Sequence, residues 1–313
     1  MDKILVTVVS YMCYGVGKVA IDSIMRNTDE PFDLLIINNA AGDSLTSNYF
    51  NDLKKKHDNV HIIDNSYNIG IAASWNKAID FMFKNPDYKW MSLFHTDIVL
   101  NRGWASKIKR AFNENPQYVG FSPVEINTTE TEYLTLPILT KNRILYNAFN
   151  MAFLHSDEAV LHEANMMYGG SFEDKATEFE NQLQGLVVRG AGFSAVTFKR
   201  EVFEKVGYFD EIFRRGGEDS DFYNRMITLG LDSAKTGYAF SHHWCSVTFI
   251  SSRYVDGKQE ANIARDIYTK KMADGIDKKC LKDTCKFNRG GLCDKGYKDH
   301  LLPANPCLEH ENK

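Results

Sequence analysis

Residues 3–9 (KILVTVV) form a nearly unbroken apolar, β-branched run. A strand that faces water on one side alternates polar and apolar residues. A run without that alternation is buried on both faces, as in a parallel sheet covered by helices. The chain beyond it keeps switching between the two periodicities. The pattern predicts a loop at SYMCYGVG, helices over about 17–26, 45–56, 71–84 and 103–114, and strands at 33–37 (DLLII), 60–63 (VHII), 89–94 (KWMSLF) and 118–122. Strands and helices alternating at this spacing predict an α/β fold with a mixed, mainly parallel sheet flanked by helices and right-handed crossovers. Ligands of such sheets sit beyond the carboxyl ends of the strands. Three polar clusters fall there: Ser10-Tyr11, Asn38 through Asp43, and His95-Thr96-Asp97.

The second half is less regular. Residues 124–185 read as a mostly helical insertion with an acidic part between Asp157 and Glu180. The α/β pattern resumes at 186–198 (LVVRGAGFSAVTF), passes through a helix at 200–206 and closes with a strand at 238–250. With 313 residues, the chain divides into a domain at 1–255 and an appendage at 256–313. A net charge of −4 argues against a surface that is basic throughout and built for nucleic acid or anionic membrane. The apolar stretch from Ile4 to Gly17 is too short to span a bilayer and lacks a basic leader, so the expected location is cytoplasmic, with no transmembrane segment.

Five motifs in order carry a family resemblance. VVSY (Val8 to Tyr11) precedes INNAAGDS (Ile37 to Ser44), and NIGIAASWNKAI (Asn68 to Ile79) follows. FHTDIVLNRGW (Phe94 to Trp104) stands where a D-x-D strand end and a Gly-Trp helix start would fall, and VFEKVGYFDEIFRRGGEDSDFYNRMITLG (Val202 to Gly230) closes the series. G-E-D or D-x-D alone arises often by chance. Together, the five make residues 3–250 resemble a family 2 glycosyltransferase of the GT-A fold.

The resemblance implies a metal-dependent, inverting transfer of a sugar from a nucleotide diphosphate donor, a UDP-sugar first, to the hydroxyl of a glycan, lipid-linked or other acceptor. It implies a donor site at Ser10, Tyr11, Asn38, Asn39, Asp43, Asn68, Gly70, His95, Thr96 and Gly192. Amide and carboxylate groups at Asn38 and Asp43 suit a base and ribose, although such a turn also caps a helix at 45. Gly70 lets backbone approach the nucleotide, and Gly192 could line the sugar pocket or form a strand bulge. Trp104 and Trp244 could stack on a sugar or pack in the core. Asn76 reads equally as a packing group.

A hard cation needs oxygen ligands to bridge the protein to a pyrophosphate, which points to Asp97. The first acid of the D-x-D is His95 here, and imidazole favours Mn²⁺ over Mg²⁺; the same ring reads equally as a packing group or a ribose contact. The resemblance adds a histidine after the last strand. His242 and His243 are both candidates, with His242 preferred for its spacing from Ser246. It also makes Asp219 the general base, supported by Glu218 and Asp221; the same acids would favour a helix N-terminus.

The appendage lies outside the resemblance. Cys280, Cys285, Cys293 and Cys307 could close a structural Zn²⁺ site, with redox thiols or an iron–sulfur cluster as other uses of the same residues. Its weak basic bias leaves room for a nucleic-acid acceptor. The histidine in place of the first D-x-D acid leaves room for a nucleotide-sugar binding module without turnover.

Overall fold

The computed structural model describes residues 3–12, 14–40, 42–125, 156–213, 216–244 and 266–271, with the backbone of 288–289 and 292–293. The apolar run forms β1 (Lys3–Ser10), buried along almost its whole length. It pairs in parallel with β2 (Phe32–Asn38) on one side and β4 (Tyr88–His95) on the other, and β3 (Val60–Asp64) extends the parallel half beyond β2. Between these strands run α1 (Tyr14–Asn27), α2 (Ser44–Lys56) and α3 (Ile71–Lys84). Helix α1 takes up part of the segment that reads as a loop, burying Val16, Val19, Ala20 and Ile24.

Past β4 the sheet changes character. Short β5 (Ile98–Leu100), α4 (Trp104–Glu114) and β6 (Gly120–Glu125) come next. Helices α5 (Asp157–Tyr168) and α6 (Phe172–Gln182) fill the described part of the insertion; residues 126–155 lie outside the described residues. The stretch 186–198, where the α/β pattern resumes, divides into β7 (Val187–Arg189) and β8 (Ala195–Lys199) around the Gly190–Gly192 segment. The two pieces pair with different strands, β7 with β9 (Ser233–His243) and β8 with β4 and β6. The spatial order is β3-β2-β1-β4-β8-β6-β9-β5, with β7 on β9. Strand β8 is antiparallel to both neighbours, so the parallel half ends at β4. The final strand starts at Ser233 and ends at His243, where its pairing with β5 ends; residues 245–250 of the expected strand lie outside the described residues.

Helices cover both faces. On one, α3, α7 (Arg200–Val206) and α8 (Glu218–Thr228) enclose Trp75, Met82, Phe198, Phe209 and Phe222. On the other, α1, α2 and α4 enclose Val6, Ile24, Phe50, Phe94 and Trp104. A third apolar cluster joins α5 and α6 to β9 through Val160, Tyr168, Phe172, Phe179 and Phe240. No helix among the described residues is long and apolar enough to cross a membrane.

Part of the appendage touches this body. Helical residues 266–271 reach α8: the Lys271 ammonium lies 3.0 Å from Asp210 and also pairs with Asp221, and Asn224 donates to the Tyr268 hydroxyl at 2.6 Å. Further on, a two-residue ladder sets Asn288 opposite Cys293. The other three tail cysteines, Cys280, Cys285 and Cys307, lie outside the described residues, and only the backbone of Cys293 is described.

Candidate functional site

The carboxyl ends of β1, β2 and β4 open on one edge, as the parallel half requires. The Asn39 N–H donates to the Ser10 carbonyl at 2.8 Å, and the Asn65 N–H to the Asn38 carbonyl at 2.8 Å, so the three strand ends remain in register past the ladder. The Ser10 hydroxyl is buried with no hydrogen-bond partner among the described residues. Asn38 donates to Asp64 at 2.8 Å and accepts from the Ala40 N–H at 3.0 Å. Asp43 caps α2, accepting from the Leu45 N–H at 3.2 Å and the Thr46 hydroxyl at 2.5 Å. Asn39 is buried between Ser74 and Asn65, bonded to both. That makes it a joint between strand end and helix.

Asn68 accepts from the Gly70 N–H at 2.9 Å, and Gly70 has φ 88°, a left-handed conformation that glycine reaches without strain. Helix α3 starts from this turn and carries Trp75 under the site. The indole is fully buried and stacks on His95, ring centroids 5.8 Å apart and planes 19° off parallel. Asn76 is a packing group: it donates to the Phe209 carbonyl at 2.9 Å and accepts from the Phe209 N–H at 2.8 Å.

At the end of β4, three residues converge. One potential ligand atom from each of His95, Asp97 and His243 falls within 4.8 Å of the others. The His243 Nε2 lies 3.4 Å from Asp97 Oδ1. Asp97 is held in place by its backbone, whose carbonyl accepts from the Trp244 N–H at 2.9 Å. Burial alone would raise the Asp97 carboxyl; the charge and hydrogen bond of His243 outweigh it and hold it below the ordinary carboxylate range. Burial lowers the His95 pKa against the pull of Asp97, so the ring is neutral and able to offer a lone pair. Its Nε2 is buried with no partner among the described residues. One carboxylate and two imidazoles around a common point, one of them with an orphaned nitrogen, fit a divalent cation of the Mn²⁺ type.

Consecutive strand residues point to opposite faces, and β9 separates the two histidines accordingly. The geometry brings His243, and not the preferred His242, to Asp97. His242 lies on the far face, where its Nδ1 meets the Tyr168 hydroxyl at 2.7 Å and its ring packs 4.2 Å from Trp244. Burial pushes its pKa down to about 3. Trp244 is buried beside it, and Trp104 is buried against Phe94 with its indole N–H on Thr28 at 3.0 Å; both are core side chains.

The Gly-Gly turn before α8 has φ 81° at Gly216 and 93° at Gly217, which sets Glu218 as the first helical residue. Glu218 is buried, with Oε2 unpartnered among the described residues, and burial followed by repulsion from Asp219 pushes its pKa up to about 8. Asp219 is partly exposed and close enough to His95 to raise that ring's basicity. Asp221 turns inward to Arg225 at 2.9 Å, so it anchors the helix. Thr96 is buried over Gly17 of α1, and Tyr11 stands half-exposed at the rim beside Met12, a non-glycine residue at φ 47°.

Glu125 was not visible as a site residue. It ends β6, is buried, and reaches His243 Nδ1 at 3.4 Å while accepting from the Ser194 hydroxyl. Gly192 borders the same corner: its N–H donates to Ser122 at 2.8 Å, and a side chain there would meet Glu125, Ser122 and Ser194. Asp64, the partner of Asn38, was also missed. No local motif marks either acid.

The chain belongs to glycosyl transferase family 2, whose profile matches residues 6–207, more than half of the sequence. That span contains Asp97 and His95 and ends before Glu218. The fold is of the GT-A type. GalNAc-T7, solved with UDP, GalNAc and Mn²⁺, superposes with a TM-score of 0.51 at 11% identity, over 78% of this chain and 44% of its own. The mannosyltransferase PcManGT from Pyrobaculum calidifontis, solved with GDP-Man and Mn²⁺, gives a TM-score of 0.49 at 14% identity, over 77% of this chain and 56% of its own. The chain thus spans about half the length of these neighbours. No curated protein sequence matches it significantly.

Proposed function

We propose that the protein transfers a sugar from a nucleoside diphosphate donor, with UDP as carrier, to an acceptor hydroxyl with inversion at the anomeric carbon. The observation that carries this reading is the convergence of His95, Asp97 and His243 at the end of β4, with the charge of Asp219, at the start of α8, acting on His95. GalNAc-T7, a neighbour of similar fold, is solved with UDP, GalNAc and Mn²⁺. A divalent cation held by the three residues would neutralise charge on the departing diphosphate.

The rest falls to the chain's own groups. The Asp219 carboxylate takes the proton from the acceptor hydroxyl as its oxygen bonds to the anomeric carbon from the face opposite the nucleotide. The bond from that carbon to the diphosphate breaks, and the diphosphate leaves with the electron pair. Glu218, neutral at pH 7, adds no second negative charge beside the base. Ser10, Asn38 and Asp64 border the place for the nucleoside, and Gly192 borders that for the sugar.

The test is a panel of UDP- and GDP-sugars incubated with the protein and Mn²⁺, reading nucleotide release, with mass spectrometry of glycan, lipid and oligonucleotide acceptors. Release from at least one UDP-sugar is expected. Tight UDP binding with no release from any donor would instead establish a binding module.

A further inference from the structure

We infer that Glu125 is the positioning residue of the metal centre: it fixes the His243 ring so that Nε2 offers its lone pair beside Asp97. The inference rests on the proposed metal centre and adds a residue to it.

The two nitrogens of His243 face two different carboxylates. Nε2 lies 3.4 Å from Asp97 Oδ1, and Nδ1 lies 3.4 Å from Glu125 Oε2. An imidazole that binds a cation through one nitrogen carries its proton on the other, and an acceptor at that second nitrogen decides the tautomer. A carboxylate is an acceptor only. Asp97, at the same distance from Nε2, holds a proton there while no cation is bound. Once a cation takes that proton's place, Glu125 is the acceptor that keeps the remaining hydrogen on Nδ1 and leaves the Nε2 lone pair to the metal.

Glu125 is itself held. The Ser194 hydroxyl donates to its Oε1, leaving Oε2 for the imidazole. Ser194 also ties the end of β4 to the sheet, since its carbonyl accepts from the His95 N–H at 3.0 Å. One residue thus links the backbone of His95 to the carboxylate that orients His243.

The placement of Glu125 comes from a break in register. Strands β6 and β9 pair in parallel with Pro123 opposite Thr236, and then jump so that Val124 faces Phe240 and Glu125 faces Ser241. Such irregularities re-aim side chains at the ends of strands. Without the jump, Glu125 would lie opposite the middle of β9, several residues from His243. The glycine at 237, within the skipped stretch, is required by packing: a Cβ there would collide with the Leu183 carbonyl at 2.1 Å. Buried carboxylates are costly unless they are bonded, and both oxygens of this one are directed at the centre's supporting groups.

The test uses the full chain without donor. Mn²⁺ binding is read from the six-line electron paramagnetic resonance signal of the free ion. With diamagnetic Zn²⁺ in the site, the His243 tautomer is read by ¹⁵N NMR, the resonance being assigned by its loss in His243→Gln. Glu125→Gln keeps the shape but turns one oxygen into a donor. It is expected to weaken Mn²⁺ binding by about 10–100-fold and, in the Zn²⁺-loaded protein, to lose the His243 form with metal on Nε2 and hydrogen on Nδ1. Ser194→Ala removes only the outer support and should weaken binding by a few-fold at most, with the tautomer unchanged. Wild-type affinity together with a wild-type tautomer in folded Glu125→Gln would overturn the inference and leave the metal centre standing. A wild-type protein that binds no Mn²⁺, like Asp97→Ala, would overturn the centre and this inference with it.

Discussion

His242 and His243 are adjacent in sequence, yet one ring meets the Tyr168 hydroxyl at 2.7 Å and the other meets Asp97 at 3.4 Å on the opposite side of the sheet. The pairing of β5 with β9 enforces the division: His242 faces Val99 and His243 faces Ile98, which belong to different apolar clusters. Replacing the two should therefore have different consequences. His243→Ala should abolish Mn²⁺-dependent nucleotide binding by calorimetry while the protein stays folded. His242→Ala should leave that binding measurable and cost about 2–3 kcal/mol in urea unfolding, from the lost packing and the unpaired Tyr168 hydroxyl. Equal losses of nucleotide binding in the two folded variants would contradict the assignment.

Asp219→Asn keeps the size of the side chain and removes its capacity to accept a proton. Transfer should fall at least about 10²-fold, the low end of general-base contributions. UDP affinity should remain within a few-fold, since the cation site lies at His95, Asp97 and His243. An active Asp219→Asn enzyme would move the base elsewhere.

Glu218 gives the protein a pH dependence of predictable sign. Its folded pKa is raised from 4.5 to about 8 by burial and then by Asp219. Between those values the native state holds a proton that the unfolded chain has released, so stability falls as pH rises through the interval, by at most about 1.4 kcal/mol per unit. Below the unfolded value, both states are protonated and the contribution is constant. Glu218→Gln cannot titrate and should flatten the decline in urea midpoint between pH 5 and 8. An unchanged slope would show that Glu218 does not carry it.

The parallel half of the sheet was legible because its signal is local. KILVTVV and DLLII announce strands buried on both faces, and the helix at 71–84 shows its buried stripe of Trp75, Ala78, Ile79 and Met82. Asp97 and His95 were legible for the same reason, lying at the end of β4 and just past it. The choice between His242 and His243 depends on which face of β9 is turned inward. Glu125 depends on a jump in pairing between β6 and β9, and Asp64 on the neighbour of Asn38 across the ladder. Contacts between distant strands decide all three, and no pattern within one segment encodes them. Nor did composition reveal that residues 266–271 dock on α8, since the contact is made by Tyr268 and by Lys271, one lysine among many.

That lysine is the last testable point. Lys271 is 7% exposed and lies between Asp210, at 3.0 Å, and Asp221, which also binds Arg225 at 2.9 Å. Burial raises the Asp210 carboxyl, with Lys271 opposing the rise. Removing the ammonium leaves buried carboxylates short of a counter-charge, a loss of about 3–5 kcal/mol where a partner of a buried pair is deleted. Lys271→Met keeps the length of the stem and should therefore lose stability in urea unfolding by an amount of that order. Pairing Lys271→Met with Asp210→Asn should restore part of the loss, because the second change removes the charge left without a partner. If the double variant is destabilised by the simple sum of the single changes, the contact between the C-terminal segment and α8 is not the electrostatic clamp that its geometry describes.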